Sequence, residues 1–169
     1  MTLDYAIGLI VTVGLLVYLT YALLANQAMG ARIAGDYETA ERLSLASLAL
    51  VPDFLGATRV LVDTYRASGR SDLALPWARK LVDGQPWNPE FCIALARAEL
   101  ETGRKLEAVE RANEVVRRYD WSGPVHLDVG QFFLQAQDVP RAAQEFSRAM
   151  DLGTMPSPWA LQQTGLAPK

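Results

Sequence analysis

Hydrophobic and polar positions follow two different patterns along this chain. From Tyr5 to Leu24 the stretch YAIGLIVTVGLLVYLTYALL carries no charge and has no polar face. A helix of that length spans about 30 Å, the hydrocarbon thickness of a bilayer. Beyond it, apolar residues recur three and four apart with charged residues between them, which predicts amphipathic helices. Gly and Pro punctuate that pattern. One set of helices is expected at 37–51, 72–83, 105–119 and 139–151, and another at 54–68, 89–102 and 124–136.

The punctuation is periodic. Gly35, Gly69 and Gly103 lie 34 residues apart, Ala40, Ala74, Ala108 and Ala142 keep the same step, and so do Pro52 and Pro86. A fixed period in this range marks stacked repeats. Within each period a helical pattern, a Gly, a second helical pattern and a Pro follow in order, which describes two antiparallel helices and a tight turn. The Gly closes the first helix in a left-handed conformation, the Ala lets the pair approach closely, and the Pro stops the second helix.

On these residues the chain resembles the tetratricopeptide-repeat family. Residues 55–88 carry Leu61, Val62, Tyr65, Gly69, Ala74, Ala78 and Pro86 at the family spacing. Residues 89–122 carry Leu95, Ala96, Gly103, Ala108 and Ala112, with Glu99 at the aromatic position and Asp120 in place of Pro. Residues 123–156 carry Val129, Gly130, Phe133, Ala142 and Phe146, with Gln137 replacing the turn Gly. The resemblance implies an all-α fold: a transmembrane helix leading into a helix-turn-helix solenoid of three to four units (21–54, 55–88, 89–122 and 123–156). The segment from Ser157 to Gly165 reads as cap, first-turn Pro, short helix and stop, a terminal helix that covers the last apolar face.

Counting back one period starts the first unit near Tyr21, inside the end of the apolar stretch, and no Pro or Ser-rich linker intervenes. One continuous helix is therefore expected, its last turns serving as the first repeat helix, rather than a flexible tether. Ala28-Met29-Gly30 would suit cleavage of a signal peptide, but Asp4 and the absence of Lys or Arg ahead of the stretch favour an uncleaved anchor in a bacterial inner membrane. Tyr5, Tyr18 and Tyr21 fall where interfacial aromatics sit. Arg32 and Arg42 follow the span, which by the positive-inside rule favours cytoplasmic over periplasmic repeats.

Charge and candidate chemistry narrow the function. The net charge of −3 and the lack of a basic stripe argue against a nucleic-acid partner. Cys92 is alone and His126 is the one histidine, so neither a disulfide framework nor a Cys/His metal set is expected. Cys92 reads as a buried inert thiol, and His126 as structural or surface. The charges on 105–119, Arg111 among them, read as a solvated face. Trp87 and Trp121, one period apart, read as wedges holding loops onto the neighbouring unit. No catalytic constellation, cofactor or small-molecule substrate is expected.

What remains is binding. In the family the first helices line a concave groove, and the resemblance carries that role to Arg59, Asp63 and Arg66, then Glu90, Ile93, Arg97 and Leu100, then Leu127, Gln131 and Leu134. Three arginines beside an apolar strip suit a segment with acidic and aliphatic side chains. The Lys/Asn set with which chaperone-binding members clamp a terminal carboxylate is absent from these positions. The expected function is a membrane-anchored scaffold or assembly factor for a membrane or membrane-proximal complex. The alternative is an accessory subunit acting through its span: residues 17–24 resemble the small single-span subunit of potassium-transporting ATPases, although Ala25-Asn26 depart from the Pro-Glu that tends to follow there.

Overall fold

The structure, a computed structural model, describes residues 3–166. Among these, every regular element is a helix: α1 (Leu3–Ile33), α2 (Tyr37–Leu50), α3 (Leu55–Ala67), α4 (Ser71–Gly84), α5 (Pro89–Glu101), α6 (Lys105–Arg118), α7 (Gly123–Gln135), α8 (Val139–Asp151) and α9 (Pro158–Thr164). The helices expected from periodicity are all present, with ends displaced by a residue at most. The chain divides after Gly84 into two compact units.

The turns explain the period. Gly35, Gly69 and Gly103 have φ of 80°, 74° and 83°, and Gln137 holds the same conformation at φ 60°. At each of these turns the N–H of the next residue donates to the carbonyl five residues back: Asp36 to Ala31 (2.9 Å), Arg70 to Tyr65 (2.8 Å), Arg104 to Glu99 (2.8 Å) and Asp138 to Phe133 (2.9 Å). These bonds satisfy carbonyls that a helix end would otherwise leave open. Side chains cap the following helices. Asp36 accepts from the Thr39 N–H (3.1 Å), and this bond holds its carboxyl below the usual carboxylate range. Asn88, Asp138 and Ser157 cap α5, α8 and α9 in the same way. Pro89, Pro124, Pro140 and Pro158 sit in first turns, where no N–H is missed. Pro76 lies inside α4 and removes one backbone donor there.

In the first unit α1 is one unbroken helix, as expected from the missing linker. Its described side chains from Tyr5 to Thr20 are exposed, and only from Tyr21 onward does it pack, against α2 and α3. The seam is built from small residues: Ala28, Ala40, Ala57, Ala74 and Ala78 are fully buried, with Leu61, Val62 and Leu81 filling the space between. Each such Leu contributes about 1.5–3 kcal/mol by leaving water.

The second unit has an aromatic core of Phe132, Phe133 and Phe146 with Val129, Ala108, Ala112 and Ala142 around it. Gly130 makes the α7–α8 approach possible, because a Cβ there would come within 2.5 Å of the Phe146 ring. Short α9 closes the unit with Ala160 and Leu161 buried, the covering role expected of it.

Candidate partner-binding surfaces

In the first unit, a helical repeat of three and four residues puts Gly56, Arg59, Asp63 and Arg66 on one face of α3. Beside it, α1 contributes Ala22, Asn26 and Met29 to a cleft of about 210 Å³ closed by Phe54 and Val60. Gly56 stays small because a Cβ would meet the Phe54 ring at 2.8 Å, so the ring folds over the start of α3. Arg59 Nε donates to Asp63 Oδ2 (3.1 Å), and both side chains stay partly in solvent. Arg32, one turn beyond Met29 on α1, contacts Met29 Sδ at 3.2 Å through one guanidinium nitrogen. Its Nε is shielded and has no hydrogen-bond partner among the described residues. The groove positions expected from the repeat pattern begin at Arg59 and include no α1 residue, although the last turns of α1 form the first repeat helix.

The expected groove residues of the second unit meet different fates. Ile93 is 2% exposed and belongs to the core, so it offers no open surface, which corrects the groove expectation at that position. Leu100, Leu127 and Leu134 are half-buried against that core. Arg97 is committed within the unit: it donates to the Asp128 carbonyl (3.2 Å) and lies 4.0 Å from the Asp128 carboxylate, tying α5 to α7. Glu90 is exposed at the start of α5. Gln131 and Leu134 do come together, in a cleft of about 220 Å³ completed by Gln135, Ser157, Trp159 and Ala160. Trp159 was the unforeseen member. A helix-cap pattern announces a short helix but not which residues it leaves in the open.

Two polar contacts in the second unit are also new. Glu99, buried at the repeat's aromatic position, accepts two hydrogen bonds of 3.0 Å from Arg111. That fork raises the Arg111 pKa and corrects its reading as part of a solvated face. His126 is buried, with Nδ1 2.6 Å from Glu145 Oε2 and Nε2 3.0 Å from the Asp120 carbonyl. Its role is structural, joining α7 to α8 and to the preceding loop. Cys92 is half-buried beside the Pro86 carbonyl (3.6 Å), and burial pushes its thiol up, away from reactivity. Trp87 and Trp121 do not act as wedges: they are 65% and 74% exposed. It is the Tyr119 hydroxyl, donating to the Trp87 carbonyl, that ties this loop down.

Paired helices, left-handed turns at a fixed step and open faces between first helices define a helix-hairpin repeat protein, a class that presents surfaces for other proteins. Residues 93–154 match the tetratricopeptide-repeat family, and the fold of the chain is that family's fold. PilF of Pseudomonas aeruginosa superposes with a TM-score of 0.70 at 19% identity over 88% of this chain and 67% of that one. MamA of Desulfovibrio magneticus RS-1 (residues 41 to the end) gives a TM-score of 0.64 at 20% identity over 79% and 75%. Another MamA structure gives 0.62 at 17% identity over 86% and 79%. No curated protein matches the chain in sequence.

Proposed function

We propose that this protein is a single-span, membrane-anchored scaffold that holds a segment of a membrane-proximal protein complex against its first unit. The observation that carries the reading is α1. Within its Ile7–Ile33 portion lies an 18-residue stretch apolar enough to cross a bilayer, and nothing within the structure covers that stretch. The same rod then forms the first repeat helix, so anchor and binding face are one rigid element. The family fold supports a protein partner. Arg59 and Arg66 on the face of α3 that starts at Gly56, and Arg32 one turn beyond Met29, suit a segment carrying carboxylates beside aliphatic side chains. Arg32 and Arg42 follow the charge-free stretch that ends at Leu24, and the positive-inside rule then supports cytoplasmic repeats.

The uncovered span equally suits packing against a membrane subunit, which is how an accessory subunit would act. Two measurements separate the roles. Carbonate washing of native membranes is expected to leave the full chain in the pellet; release into the wash would remove the anchor. Replacing residues 5–20 with an unrelated apolar helix is expected to keep partner capture, and its loss would favour action through the span.

A further inference from the structure

We infer that the second half of α2 together with the Val51-Pro52 segment after it, Leu43 to Pro52, is a shallow lipid-contacting surface that seats the first unit in the same bilayer its span crosses. The inference rests on the anchor proposed above and adds a second membrane contact to it. The Ser47 hydroxyl donates to the Tyr21 carbonyl (3.0 Å), and Ala28 and Ala40 are both buried in the same seam, so α1 and α2 pair antiparallel about the Gly35 turn. That register sets Leu43 and Ser44 beside Leu24 and Ala25. The apolar stretch of α1 ends there, followed by Asn26 and Gln27. The segment LSLASLALVP, the end of α2 with Val51 and Pro52 after it, begins at the same height and runs, uncharged, in the direction of the span.

Charge on α2 is thus sorted along its axis rather than around it. Glu38, Glu41 and Arg42 occupy the half remote from the span, while Leu45 (39%), Leu50 (45%), Ala46 and Ala49 stand exposed in the near half. A solenoid helix facing water would keep a polar outer face along its whole length. Leu50 lies about 4.5 Å deeper than Ser47, within the roughly 5–10 Å to which interfacial helices bury their apolar face. Aromatic rings mark the same level: Tyr18 stacks edge-on with Tyr21 (5.3 Å between centroids), and Tyr21 with Phe54 (4.7 Å). Tyrosine rings favour the headgroup zone. Just past this edge Asp53 pairs with Lys80 at 3.3 Å, and Lys80 also donates to the Pro52 carbonyl.

The test uses the full chain with Cys92→Ser, reconstituted into vesicles of phosphatidylethanolamine and phosphatidylglycerol. Nitroxide labels are placed through Leu45→Cys, Leu50→Cys, Glu38→Cys and Val13→Cys. Collision with oxygen reports lipid, and collision with a water-soluble nickel chelate reports solvent. The oxygen-to-nickel ratio at positions 45 and 50 is expected to exceed that at Glu38 severalfold and to approach the Val13 value. A ratio at Leu50 equal to that at Glu38, with Val13 in lipid, overturns the inference and leaves the anchor intact. Low collision with both reagents means protein covers the surface, a second copy included, and overturns it too. A water-exposed Val13 label removes the anchor and the inference together.

Discussion

At the scale of single residues, Gln137 shows how strongly the turn is imposed. It adopts φ 60° where its counterparts are glycines, because the Asp138 N–H must reach the Phe133 carbonyl. A side chain in that region costs about 1 kcal/mol or more. Gln137→Gly is therefore expected to stabilise the protein by about 1 kcal/mol, read from the midpoint of urea unfolding. Tyr65 makes a pH-dependent contribution. Burial, then its hydrogen bond to the Glu41 carboxylate (2.9 Å), push its hydroxyl from 10 up to about 12. The folded chain keeps a proton that the unfolded chain loses, so this stability is whole below pH 10 and is lost as pH rises towards about 12. Unfolding midpoints on either side of pH 10 are expected to diverge in the wild type and to diverge less in Tyr65→Phe.

Glu99, Arg97 and His126 are the residues least legible beforehand. Each is settled by a partner 12 to 31 positions away: Arg111 for Glu99, Glu145 for His126 and Asp128 for Arg97. Local pattern tells which face of a helix a residue occupies, not whether a neighbouring helix brings a counter-charge. The turns, by contrast, are local devices. Gly35, Gly69 and Gly103 announce themselves, and even Gln137 is placed by counting.

At the scale of elements, the packing of helix pairs depends on small residues at fixed places. Gly130 on α7 sits against the Phe146 ring of α8, and the added methyl of Gly130→Ala would have to displace that ring. Overpacking of this kind costs about 1–3 kcal/mol, and thermal unfolding is expected to move down accordingly. Gly8 and Gly14 on α1 meet nothing within 4 Å, so no such constraint acts on them within the chain. Helix ends were legible to within a residue because caps and prolines are sequence-local. The cleft at Trp159 was not, because it depends on where α9 lies across α7.

At the scale of the molecule, the apolar stretch of α1 runs without a break into the first repeat helix. The continuity of α1 was legible from the missing linker, and the four alanines predicted the close seams that Ala40, Ala74, Ala108 and Ala142 form. Where the residues expected in the groove come to lie was legible only in part. Arg59, Asp63 and Arg66 share a face beside an α1 cleft, while Ile93 went into the core and Arg97 into an internal bond. The most direct measurement is photo-crosslinked capture from native membranes, with the crosslinker at Met29 in the cleft. Wild type is compared with Arg59→Glu/Arg66→Glu, both checked for membrane location and helical content. The account predicts a specific protein partner that the charge-reversed variant loses. Capture of the same partner at undiminished yield by the variant would contradict it.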